Sequence, residues 1–188
     1  LNHIPKDMEN IPKPIIGYIG AINEKLDYEL LATIAHKRPQ WSLVFIGDYL
    51  NNPASPEYYK FVHQHPPNVF LLGRRDVKDV PRYIHACDVC IMPYLRNDYT
   101  KAIDSLKLYE YFACGKPVVA TDIPVIREHG QVVYIAKDGD DLVQKLEEVL
   151  VSFPPERRNL QQSIALQNTW DKRVEQISFL IQAALHKL

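Results

Sequence analysis

The run Asp104-Ser105-Leu106-Lys107-Leu108-Tyr109-Glu110-Tyr111-Phe112-Ala113-Cys114-Gly115-Lys116-Pro117 puts charged chemistry at the start of a helix that leads straight into an apolar strand. Asp104 or Ser105 can cap this helix, Gly115 can end it in a left-handed conformation, and Pro117 opens the buried run Val118–Ala120. Lys107 and Glu110 are three residues apart and share one helix face. A lysine in the first turn opposes the positive end of the helix dipole, at a cost of ~0.3–1 kcal/mol. An anion held on the exposed amides reverses that sign. Two readings fit the spacing equally well: a ligand at the helix mouth, or a solvated Lys–Glu pair on an ordinary helix.

Three further segments carry polar groups at expected strand ends. Gly20-Ala21-Ile22-Asn23-Glu24-Lys25 has one glycine for close backbone approach and no GxGxxG fingerprint, which disfavours a nicotinamide dinucleotide. Gly73-Arg74-Arg75-Asp76-Val77 offers a glycine turn with two guanidinium groups. The long segment from Pro93 to Ile103 carries Arg96 and Lys101, either of which can help neutralise a diphosphate or simply be solvated. Cys87-Asp88-Val89-Cys90 has the spacing of a redox or zinc half-site, but no second Cys/His pair completes it, so no metal ligands are assigned there or at His63, His65 and His129.

The elements that must position these groups alternate. Strands are expected at Ile15–Ile19, Ser42–Ile46, Val69–Leu72, Val89–Met92, Val118–Ala120 and Val132–Ile135, with helices at Tyr28–His36, Pro56–Gln64, Val80–Ala86 and Leu106–Cys114. Continuous apolar strands separated by helices predict an α/β, Rossmann-like, doubly wound parallel sheet with helices on both faces. Leu142 to Leu150 repeat at helical spacing, and after Pro154-Pro155 a second helical pattern begins near Asn168-Thr169. These tail helices either lie on the sheet or reach a partner domain. The expected organisation is a linker at 1–14, a ligand-binding domain at 15–152 and C-terminal helices at 153–188. The start at Leu1 and the proline-rich lead are those expected of a piece of a longer protein.

The 188 residues are 46% hydrophobic with a formal net charge of −1, enough for one cored domain and without the basic footprint of a nucleic-acid binder. No run reaches the ~20 apolar residues of a membrane span, and the first residues lack a signal-peptide core. With three cysteines, an odd count, free thiols in a reducing cytosol are expected.

Ile16-Gly17-Tyr18-Ile19-Gly20, Val69-Phe70-Leu71-Leu72-Gly73, the stretch from Tyr83 to Pro93 and above all the stretch from Lys107 to Thr121 resemble, in order and spacing, the nucleotide-binding C-terminal domain of GT-B fold retaining glycosyltransferases. The resemblance implies a nucleotide-sugar donor, UDP- or GDP-linked, and no separate cofactor. It makes Glu110 the ribose ligand, Ser105 and Leu106 backbone donors to the diphosphate, and Lys107 a cation near the phosphates. Gly20 becomes a turn at the ligand, and Gly73, Arg74 and Val77 belong to a loop that meets the base through its backbone. Lys25, Arg96, Lys101 and Asp104 are further phosphate or sugar contacts.

The chain also departs from the family pattern. A second glutamate, seven intervening residues before the ribose ligand, is Ala102 here; the arginine after the first glycine is Ala21; and Lys25 stands one place off the expected lysine. The implied activity is sugar transfer to an acceptor in surface polysaccharide or glycoconjugate synthesis, in the cytoplasm or at the inner membrane face. The acceptor side lies in a missing N-terminal domain, so the fragment alone is expected to transfer little. The rival readings are a nucleotide-sugar 2-epimerase of the same architecture and a degenerate, non-catalytic interaction module.

Overall fold

The computed structural model describes residues 3–49, 55–104 and 106–185, so Ser105 lies outside the described residues. A 3-10 turn, Lys6–Met8, precedes β1, Ile15–Ile19. Then follow α1 (Tyr28–Lys37), β2 (Ser42–Ile46), α2 (Pro56–Gln64), β3 (Val69–Leu71), α3 (Val80–Ala86) and β4 (Val89–Met92). The second half contains α4 (Asp98–Lys101), α5 (Leu106–Ala113), β5 (Val118–Thr121), α6 (Pro124–Arg127), β6 (Tyr134–Ala136), α7 (Gly139–Val151), α8 (Pro155–Gln167) and α9 (Trp170–Leu185).

All strand pairs are parallel, in the order β3-β2-β1-β4-β5-β6. Strands β1, β2, β4 and β5 are buried along their whole length, as continuous apolar runs covered on both faces must be. The chain winds outward from β1 to β3, then from β4 to β6, and right-handed crossovers in opposite directions put α1 and α2 on one face and α5 on the other. The winding reverses between β1 and β4, the point where such sheets open a crevice at their carboxyl ends.

Local signals explain most elements. The Asp27 carboxylate accepts from the Leu30 amide, Ser55 Oγ from Tyr58 and Asp138 from Asp141, each supplying an N-cap. At the end of α5, Gly115 takes φ +62° while its amide donates to Phe112 and that of Lys116 donates to Tyr111. This is the closure expected of a glycine past a helix end.

Three expectations are corrected. The expected strand at Val132–Ile135 begins only at Tyr134, because the amides of Val132 and Val133 both turn back to the His129 carbonyl. The stretch from Pro93 to Ile103 holds the short helix α4, capped reciprocally by Asn97 and Thr100. The tail pattern expected to begin near Asn168 is preceded by a whole helix, α8. Its apolar stripe is thin because what it buries includes Gln161, whose Nε2 donates to the Val132 carbonyl at 3.1 Å, and Ala165. Of the placements left open for the tail, α9 is not packed onto the sheet. None of its residues is buried, and Val174, Ile177, Leu180 and Ile181 stand more than half exposed.

Candidate functional site

Each of the first three strands runs directly into a glycine: Gly20 after β1, Gly47 after β2 and, past Leu72, Gly73 after β3. The turns are laced together. The Gly20 amide donates to Ile46 O at 2.8 Å, Ile22 to Asp48 O at 2.9 Å, and Gly47 to Gly73 O at 3.0 Å. A Cβ on Gly47 would lie 2.0 Å from Gly20 O, so only glycine lets the turns approach this closely. The sequence reading overlooked Gly47. Its position immediately after an apolar strand, like that of Gly20, was the signal available.

Helix α5 is bolted to this ledge by Tyr111. The fully buried phenol accepts from the Ile19 amide at 2.9 Å and donates to the Ile19 carbonyl at 3.4 Å, the last residue of β1. With the helix pinned there, Lys107 lies across Gly20, where a Cβ would come within 2.6 Å of its Cε and 2.8 Å of its Nζ. The ammonium donates to Tyr94 Oη at 3.0 Å and stands over the ring of Tyr18, 5.2 Å from its centroid. Lys25 reaches the same place, 5.7 Å from the Tyr94 centroid. Its backbone is held by Leu95 N–H donating to Lys25 O at 2.8 Å and Asp27 N–H to Pro93 O at 2.8 Å.

Neither Lys25 nor Lys107 has a carboxylate partner among the described ion pairs. Burial first, and then the neighbouring Lys107 charge, hold the Lys25 ammonium below the ordinary lysine pKa, against a smaller opposing pull from Tyr94 and Glu24. Two half-buried cations side by side are an electrostatic liability that an anion relieves. They line an open cavity of about 510 Å³ together with Tyr94, Asp104 and Leu106.

Glu110 forms no ion pair with Lys107 among the described residues, the Lys107 ammonium turning to Tyr94 instead. Its exposed carboxylate makes no hydrogen bond or ion pair recorded among the described residues, and it edges a second cavity of about 510 Å³ shared by α5, α8 and α9. Arg173 of α9 spans the two cavities. It pairs with Asp104 at 3.3 Å, its guanidinium stands 5.4 Å from the Tyr109 centroid, and it lines the second cavity beside Trp170.

In the loop after β3, Gly73 takes φ +73° and Val77 is 79% exposed. Arg74 makes a long contact with Asp48 at 3.4 Å, whereas Arg75 is engaged by Asp7 at 2.6 Å and by Tyr83 Oη at 2.9 Å. Lys101 is tied to Asp98 at 2.7 Å, and Arg96 is exposed, its charge helping the Arg127 hydrogen bonds to hold Asp122 low. The structure thus gathers Lys25, Asp104, Leu106 and Lys107 at one cavity, with Gly20 beneath Lys107. Arg96 and Lys101 are not among its lining residues.

A six-stranded parallel sheet whose winding reverses between β1 and β4, with Lys25 and Lys107 gathered at a cavity beside that point, defines a doubly wound, Rossmann-like α/β domain. Residues 13–152 match the family Glycosyl transferases group 1, and the chain belongs to that family. It is 33% identical over 169 residues to the putative teichuronic acid biosynthesis glycosyltransferase TuaH of Bacillus subtilis (strain 168), covering 87% of this chain and 42% of that protein. The chain therefore spans less than half the length of this relative. Among solved structures, sucrose-phosphate synthase of Thermosynechococcus elongatus superposes with a TM-score of 0.76 at 17% identity, over 99% of this chain and 50% of that one. Anabaena Alr3699/HepE, solved in complex with UDP-glucose, gives a TM-score of 0.66 at 22% identity, over 97% and 50%.

Proposed function

We propose that this chain is the donor-binding half of a glycosyltransferase that moves a sugar from a nucleoside diphosphate sugar to an acceptor, with retention of configuration. One observation carries the reading: Lys25 and Lys107, half-buried and without carboxylate partners, converge over the Gly20 turn at the mouth of α5. A diphosphate leaves readily only if its developing charge meets fixed donors, and two ammonium groups beside a helix start supply them. Glu110 accepts the ribose hydroxyls, the amides at Ser105 and Leu106 hold phosphate oxygens, and the backbone of the loop from Gly73 to Val77 meets the base. With Ala102 where relatives place a sugar-contacting acid, Asp104 is the carboxylate nearest the sugar, in a cavity it shares with both lysines.

UDP is the favoured nucleotide because HepE was solved with UDP-glucose. The likeness to a putative teichuronic acid biosynthesis glycosyltransferase supports a role in surface polysaccharide or glycoconjugate synthesis. The acceptor side belongs to the remainder of a longer protein, which also gives the exposed apolar row of α9 something to cover it.

Calorimetric titration with UDP, GDP and ADP tests the reading. One nucleotide should bind selectively, and Glu110→Ala, with folding checked by circular dichroism, should weaken it by roughly 1.5–3 kcal/mol, the worth of hydrogen bonds to a charged group. Selective binding that is indifferent to Glu110→Ala removes Glu110 from the site, and failure of a longer chain containing the acceptor half to bind any of the three overturns the function.

A further inference from the structure

We infer that Tyr94 is the positioning residue of the cation pair: it touches no reacting atom itself but fixes the ammonium groups of Lys25 and Lys107 where a diphosphate arrives. The inference rests on the reading of those lysines as phosphate ligands.

Two like charges in a half-buried pocket drift apart unless something holds both, and among the described residues Tyr94 contacts each. Lys107 Nζ donates to its hydroxyl at 3.0 Å, from beyond the hydroxyl end of the ring, and the Lys25 ammonium stands 5.7 Å from its centroid. The ring's negative face favours the Lys25 cation, and the phenol oxygen supplies the acceptor that the half-buried Lys107 ammonium needs. Tyr18 backs Lys107 from β1, with its own hydroxyl donating to Ala21 O at 3.1 Å.

Tyr94 is itself immobilised to a degree that a merely space-filling residue does not require. It is 1% exposed. Thr121 Oγ1, at the end of β5, accepts from the Tyr94 amide at 3.0 Å and donates to the Tyr94 carbonyl at 2.7 Å, bracketing its backbone on both sides. An antiparallel bridge joins Tyr94 to Leu26, the residue next to Lys25. The position of Lys25 is thereby set by the backbone of Pro93 and Leu95 on either side of Tyr94, whose side chain sets Lys107. Strand β5, which contributes no ligand of its own to the cavity, thus fixes the charge geometry.

The test is the preference of the 188-residue chain for UDP over uridine, a ratio that a general loss of stability leaves unchanged. Tyr94→Phe keeps the ring and removes the acceptor. It should lower the UDP/uridine preference about ten- to a hundredfold, the range expected for losing a hydrogen bond to a charged group. In a Lys107→Met background the same substitution should change the ratio no further, because its effect runs through that lysine. Thr121→Val, which leaves the cavity lining untouched, should lower the preference in the same direction and provides a second probe should Tyr94→Phe fold poorly.

If the wild-type chain prefers UDP but Tyr94→Phe and Thr121→Val retain that preference, the positioning role is wrong while the donor-site reading stands. An equal loss in the Lys107→Met background also overturns it. If the wild-type chain binds UDP and uridine equally, both the cation pair as a diphosphate site and the role of Tyr94 fall.

Discussion

Replacing Gly47 with alanine tests the ledge on which the site stands. The new Cβ would sit 2.0 Å from Gly20 O and 2.5 Å from Gly20 C, against backbone that has no flexible end to move aside. Relief requires a shift of about 1 Å between the β1 and β2 turns, and forced overpacking of this kind costs about 1–3 kcal/mol. The shift strains the bonds from Gly20 to Ile46 and from Gly47 to Gly73, and losing one adds about 1 kcal/mol. The expected destabilisation is therefore about 2–4 kcal/mol, which for a chain of this size lowers Tm by about 4–16 °C. Thermal unfolding followed by circular dichroism measures it. Gly130→Ala is the internal control, because the nearest atoms to its Cβ are Arg127 O at 3.4 Å and Ile135 Cδ1 at 3.6 Å. A Gly47→Ala chain melting within 2 °C of wild type would refute the close approach of the two turns. Displacing Gly20 also moves the surface on which Lys107 lies, so UDP affinity should fall with stability in Gly47→Ala and hold in Gly130→Ala.

Lys25→Met should stabilise the unliganded chain while weakening UDP. The folded-state pKa of Lys25 is lowered, so the folded chain binds fewer protons than the unfolded one between that value and the ordinary 10.5, and protonated Lys25 disfavours folding at neutral pH. A gain on the order of 0.5 kcal/mol in denaturant unfolding, with weaker calorimetric UDP binding, is expected; a less stable chain with unaltered UDP affinity contradicts it. His129 gives a pH signature. Its Nε2 is buried without a partner among the described residues, its ring meets Tyr109 and Phe112 edge-on, and burial depresses its pKa against the weaker pull of Glu128 and Asp104. The unfolded chain therefore takes up a proton first, and stability falls as pH drops below 6.5 toward the lowered value, with His85 contributing in the same direction. His129→Phe should flatten part of that slope in urea titrations between pH 7 and 5, and an unchanged slope would exclude His129 as its source.

Much of the fold was legible because its signals are local. Ser42–Ile46 and Val89–Met92 are apolar without interruption, as strands covered on both faces must be, and both boundaries were read correctly from the chain. Gly115 announced the end of α5 through a conformation that glycine reaches most readily. Helix α8 escaped because sequence periodicity detects apolar stripes, and this helix docks through Gln161 and Ala165. The first residue of β6 escaped because hydrogen bonds to His129, rather than residue type, decide where pairing starts.

The sequence by itself determined the alternation of strands and helices, and with it a parallel sheet whose crevice opens where the winding reverses. It also determined that Lys107 and Glu110 share one helix. Only the tertiary structure decided that these two side chains part company, because Tyr111 rotates α5 onto the end of β1 and lays Lys107 on Gly20. The same holds for Lys25 and Tyr94, which are far apart in the chain and silent as a motif. A backbone bridge between Leu26 and Tyr94 joins them, a long-range pairing fixed by the packing of β5 against β4 and written in no local run of residues.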